Sequence, residues 1–213
     1  MRIDTDEIKA ASEAAVKQKG GQVCDWLPYI EPTSLRDPDS VIARALILNA
    51  MINIYFDAPT AIIKAWIEEH DLADELSPVE RDILSRRESA LTGQEKINLY
   101  WYIEALWAFL WATKMIEAMD FTVSVPDTMA SMCPTLQSDE GPEKFTESMD
   151  LRDYEDLYKE RDLYLRVMWW ARQSTMTGQE DPKFNLSRTM ERRRALDWIM
   201  DATLDWDDVP LNT

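Results

Sequence analysis

Histidine, cysteine and glycine are scarce in this chain of 213 residues, which has 1 His, 2 Cys and 5 Gly. Each scarcity removes a class of chemistry. The lone histidine, His70, has no Ser or Cys nucleophile near it in a known motif, which argues against a catalytic triad. One His and two separated cysteines, Cys24 and Cys133, cannot fill a zinc site without several carboxylates. A chain of this length gains little from one disulfide, so two free thiols in a reducing cytoplasm are expected. No glycine-rich phosphate loop occurs, which excludes the usual nucleotide-binding motifs. No cofactor or metal is therefore expected, and no residue is assigned a catalytic role.

Base is short as well. The 23 Lys and Arg face 40 Asp and Glu, a formal net charge of −17. Such an excess opposes nucleic acid, which needs clustered cations, and it opposes anionic membrane surfaces. The first residues, Met1 to Glu7, carry acid where a signal peptide needs base. The apolar runs 41–56 and 100–112 are interrupted by Arg44 and by Glu104, so both suit buried helices better than membrane spans. A cytoplasmic location follows as the expectation.

What remains is apolar and helical. Hydrophobic residues make up 46% and there are 9 Trp, enough to exclude disorder as the main state. Apolar residues recur at steps of three and four along most of the chain, so an all-α fold is predicted: a single-domain, irregular bundle of about seven helices around a long, central Trp-rich helix. Residues 1–38 read as an N-terminal helix and extended connector, packed as one unit with a helical domain over 39–213. Helices are expected over 4–19, 41–56, a short stretch after Pro59, from Ser77, over 93–119, from Ser148 to about 175 and from Asn185 or Ser187 to about 203. Ser77-Pro78-Val79-Glu80 and Thr92-Gly93-Gln94-Glu95 carry the capping-box spacing that opens a helix. Between 121 and 147, three prolines, a glycine and small polar residues predict a long surface loop, either functional or poorly ordered.

Three segments carry a family likeness. They are Ile97-Asn98-Leu99 through Trp101, Glu104, Trp107 and Trp111; Arg161-Asp162-Leu163 through Arg166 and Trp169 to Arg172; and Glu191-Arg192 through Asp197-Trp198 to Asp205-Trp206-Asp207-Asp208 and Thr213. Their order resembles the bacterial domain-of-unknown-function family 4272. The likeness runs from about residue 40 onward and implies an all-helical fold. It brings no catalytic residues to carry over.

Several constellations could still hold a function. Glu104 lies among Trp101, Trp107 and Trp111 and must find a partner if buried, or take up a proton. Glu104, Arg166, Arg192, Trp101 and Trp107 thus form a candidate buried polar pocket, with Arg44, Arg166 or Arg192 as the structural partner of the acid. Asp205, Trp206, Asp207 and Asp208 form a candidate partner-binding site if the indole is exposed, although Trp206 suits closing the core better. The acids 150, 153, 155 and 156 suit helix-dipole compensation better than metal binding. Arg188, Arg192, Arg193 and Arg194 form the one dense basic cluster, an anion patch unless they pair with the acids of 150–162.

Two functions are compatible with this pattern. The favoured one is a non-catalytic, acidic cytoplasmic binding protein, an immunity-like or antitoxin-like neutraliser of a basic protein. The alternative is an enzyme or small-anion-binding protein with a Trp-lined pocket using Glu104 and nearby arginines. The sequence leaves the oligomeric state open. Acid is concentrated at 139–163 and 201–208, whereas 185–194 is locally basic.

Overall fold

The computed structural model describes residues 3–138 and 140–212. Met1, Arg2, Asp139 and the Thr213 of the family pattern lie outside the described residues. Among those described there are eight α-helices joined by short 3-10 segments, and no strand. The helices are α1 (Thr5–Gln18), α2 (Pro38–Tyr55), α3 (Thr60–Glu69), α4 (Pro78–Ser85), α5 (Gly93–Ala112), α6 (Glu143–Glu147), α7 (Tyr154–Met176) and α8 (Leu186–Met200).

Local chemistry sets most starts. Asp4 accepts from the Glu7 amide, Asp37 from Asp39 and Ser40, and Asn185 from Arg188, each satisfying an orphan donor of a first turn. Both capping boxes form, at Ser77/Glu80 and Thr92/Glu95. α1 stops at Gly20, which takes a positive φ of 93°. Gly21 follows because any Cβ there would lie 2.7 Å from Phe184 and from Val16.

The packing order follows from how much of each helix is apolar. α5 is apolar on nearly every side, and Ala105, Leu106, Ala108, Phe109, Leu110 and Ala112 are fully buried. It lies centrally, with α2 on one side and α8 on the other. α7 packs on α8, and α1 covers α7. The extended connector of 19–37 crosses the bundle, its carbonyls at Leu27 and Pro28 accepting from Arg166.

Three boundaries differ from the sequence expectation. α5 ends at Ala112 instead of near 119, because Lys114 turns left-handed at φ 60° and Arg152 takes the carbonyls of Trp111, Ile116 and Glu117. Ser148 closes α6 and does not open α7, which begins at Tyr154 after Asp153. The residues between run beside the end of α5, donating from Asp150 and Arg152 amides to Thr113 and Ala112. The last helix stops at Met200, where Asp201 takes an extended conformation. The 121–147 segment is no bare loop either. It holds 3-10 turns at Asp127–Met132 and Leu136–Ser138 as well as α6, and Phe121, Met129, Cys133, Leu136 and Phe145 fasten it to the core.

Candidate functional site

Arginines are the fasteners of this fold. Arg44, Arg161, Arg166, Arg188, Arg192 and Arg193 are all buried, and a buried guanidinium must satisfy its donors. Most of these donors go to carboxylates and to the carbonyls of connecting segments, while Nε of Arg44 and Nε of Arg188 have no partner among the described residues. Arg44 holds both oxygens of Glu80 at 2.7 and 2.8 Å and also reaches Glu75 O. Arg161 and Arg193 share Asp197, at 2.7 and 3.1 Å. Arg36, stacked 3.7 Å from the ring centroid of Trp198, takes the carbonyls of Trp198, Asp201 and Leu204.

The candidate pocket residues divide between two places. Arg192, of the three arginines considered, is the partner of Glu104: its Nε and Nη2 lie 2.8 and 2.7 Å from Oε2. Its Nη1 also donates to Tyr164 Oη at 3.0 Å and to Asp120 O at 2.9 Å, while Nη2 donates to Val123 O at 2.8 Å. Burial alone would lower the Arg192 pKa, but Tyr164 and Glu104 more than offset this and hold it above the ordinary value. Arg166 belongs elsewhere, on Asp162 at 2.7 Å and the connector carbonyls. Trp101 and Trp107 stay on α5, both partly buried. The pocket predicted from all five residues is therefore not one site.

The basic cluster is likewise internal. Arg192 pairs with Glu104, Arg193 with Asp197 and Arg194 with Glu191, while Arg188 takes the carbonyls of Pro182 and Lys183. The expected pairing with the acids of 150–162 is replaced by these nearer partners. An anion patch is not left over.

Around Trp206 the structure separates the aromatic from the acids. Trp206 is only 3% exposed, against Tyr102, Phe109 and Trp198 with ring centroids 6.0–6.2 Å apart. As an exposed anchor it is excluded, since the apolar ring is already spent inside. Asp205, Asp207 and Asp208 do face solvent, and Asp207 accepts from the Val79 amide at 3.0 Å. His70 ends α3 with its ring 4.6 Å from that of Trp66. Cys24 and Cys133 are buried free thiols, and burial pushes the Cys133 thiol up to about 12. Among the described residues no group of three or more His, Cys, Asp or Glu is placed to hold a metal, and no helix is long and apolar enough to cross a membrane.

Two recesses stand out. A groove of ≈ 300 Å³ between α1 and α7 has Asp4, Glu7, Glu155 and Glu160 on its walls, Ile8 and Leu163 among its apolar lining, and Lys159 as its only base. Lys159 is engaged by Glu155 at 2.7 Å. A wider recess of ≈ 620 Å³ lies between α2, α5 and the 124–137 segment, with Glu104 in its wall and no Lys or Arg in its lining. Sequence periodicity could not find either, because each joins residues of separate elements that only tertiary packing brings together.

Two carboxyls, Glu160 and Glu191, titrate well above the ordinary range. Burial raises Glu160 to about 7 against the pull of Arg192 and Arg152, and burial raises Glu191 to about 7 against Arg194. The ordinary value is 4.5, so from about pH 4.5 to 7 the native chain binds more protons than the unfolded one. Stability contributed by these groups is therefore present below that window and lost as pH rises through it. Glu95, lowered to about 2 by hydrogen bonds from Arg86 and Thr92, acts oppositely, and only at more acid pH. Thermal melts are expected to give a higher Tm at pH 5 than at pH 7.5, with Glu160→Gln plus Glu191→Gln flattening the difference. A Tm rising steadily over that interval would contradict the assignment.

The chain matches the family described as Domain of unknown function (DUF4272) over residues 8–209. It belongs to that family. No curated protein and no solved structure matches it.

Proposed function

We propose that the chain is a non-catalytic binding protein of the bacterial cytoplasm that presents an acidic surface to a basic protein, as an immunity-like or antitoxin-like neutraliser would. The observation that carries this reading is where the charges sit. Among the described residues six arginines but only four acids, Glu80, Glu104, Asp162 and Asp197, are buried, with Glu160 and Glu191 half-buried. Burial thus removes two more positive charges than negative ones, and the exterior is more acidic than the net −17 of the whole chain.

An acidic surface attracts a basic partner over distances on the order of the Debye length, and it raises the encounter rate more than the final affinity. The α1–α7 groove suits such a partner best, because it offers carboxylates above an apolar floor: acid to select a cation and Ile8 or Leu163 to hold its aliphatic stem. The acids at 205–208 offer charge without that floor.

Tagged protein retrieved from its source organism at low salt is expected to bring down a basic protein in fixed stoichiometry, released as salt rises. Recovery of no basic protein under these conditions would remove the main support for the reading.

A further inference from the structure

The wide recess beside Glu104 has a chemistry of its own, and we infer that it binds a small organic cation, an alkylammonium or guanidinium carried on an apolar or aromatic body. Its volume of ≈ 620 Å³ falls within the range of small-molecule sites, about 300–1,000 Å³. Its walls come from α2, α5 and the 3-10 turns of 124–137.

The lining is matched to donors with positive charge. Glu104 and Asp127 are both in it, and no Lys or Arg is. Glu104 accepts both of its strong bonds at Oε2, from Arg192 Nε and Nη2, whereas among the described residues Oε1 accepts only from the Val125 amide at 3.4 Å. A carboxylate oxygen has room for more, so Oε1 remains an acceptor for a ligand donor. Asn49 and Asn53 use their Nδ2 groups on Pro134 O and Asn49 O. With the amide nitrogens engaged on these carbonyls, their Oδ1 atoms are left as further acceptors, without a donor among the described residues.

The mouth of the recess adds aromatic faces. Phe56 is 62% exposed and Tyr100 40%. Tyr55 links them, with ring centroids 5.0 Å from Phe56 and 4.9 Å from Tyr100, and Tyr100 in turn meets Trp101 at 5.6 Å. Such rings bind the body of a ligand by burial and its charge by cation–π attraction. The charge of the lining thus reverses the anion preference of the alternative sequence reading: Glu104 belongs to the lining, and its partner Arg192 does not.

The test is calorimetric titration with three matched probes: 2-phenylethylammonium, 2-phenylethanol and 3-phenylpropanoate. The ammonium is expected to bind, with the alcohol and the carboxylate weaker by about tenfold or more, the scale of one charge-assisted hydrogen bond. Ala130→Trp, at the solvent-exposed wall, fills the recess and is expected to abolish binding. Glu104→Gln is expected to weaken it about tenfold. Because that change also strips Arg192 of its counter-charge, Asn53→Leu serves as a second variant that leaves the ion pair intact and is expected to weaken the ammonium selectively. No binding of the ammonium, equal binding of the carboxylate, or binding undiminished by Ala130→Trp would each overturn the inference. The recess is distinct from the α1–α7 groove, so its failure leaves the proposed protein partner untouched.

Discussion

Arg192→Ala is expected to lower the unfolding free energy by about 3–5 kcal/mol, because it abandons a buried carboxylate. Glu104 would lose the partner 2.7 Å away, and Tyr164 Oη and the carbonyls of Asp120 and Val123 would lose their donor. The loss extends beyond one ion pair, since the same guanidinium fixes the start of the 121–147 segment to α8. Arg192→Lys is expected to recover only part, as an ammonium is a single point charge and cannot serve four acceptors spread around a planar fork. Glu104→Leu combined with Arg192→Met should recover more than half, since removing both charges leaves none buried and unpaired. Denaturant titration of the four proteins reads these differences. A cost below about 1 kcal/mol for Arg192→Ala would mean that the pair is no structural element.

The second large effect concerns association. Reversing Glu7, Glu155 and Asp156 to lysine is expected to slow binding of the proposed basic partner about 10–100-fold while changing its dissociation only a few-fold. Glu7 and Glu155 line the groove, and Asp156 is the exposed next residue of α7. Reversal of Asp205 and Asp208 provides the comparison, and a smaller effect is expected there because those acids have no apolar floor between them. Asp207 is left in place, since it accepts from Val79. Stopped-flow rates with both sets, alongside melts to confirm folding, decide whether the groove is the acidic surface that matters. Unchanged rates in both sets would argue against surface charge as the recognition element.

Much of this fold is legible in residues close together in sequence. The Ser77 and Thr92 boxes announce α4 and α5, the all-round apolar character of 99–112 announces a central helix, and Gly20-Gly21 announces the end of α1. What is illegible depends on distant partners. Nothing near Thr113 says that α5 stops there, because the carbonyls that would otherwise continue the helix are taken by Arg152, about 40 residues on. Ser148 looks like a helix start, yet Phe145 and Thr146 carbonyls accept its amide and make it an end. Arg166 lies among apolar neighbours and Arg192 in a charged run beside Glu191, yet neither setting names its partner. Only the packing of α8 on α5 assigns Glu104 to Arg192, while Asp162, one turn earlier on the same helix, claims Arg166.

The acidic surface was visible as composition and its arrangement was not. The −17 announces acid, but it does not reveal that arginine is preferentially internal or that α1 and α7 enclose a carboxylate-lined groove. The recess at Glu104 is a similar case. Sequence places tryptophans around the acid and suggests arginines beside it, whereas folding pairs it with Arg192 alone and sends Arg166 to Asp162 and Arg44 to Glu80.

The association rate with the co-purified basic partner, measured at about 0.01 M and about 1 M salt, tests the acidic-surface reading most directly, since the Debye length falls from about 30 Å to about 3 Å between them. The expected result is a rate that drops by one to three orders of magnitude, about 10–10³-fold, with dissociation nearly constant. A rate that stays level across that range would contradict recognition through the acidic exterior.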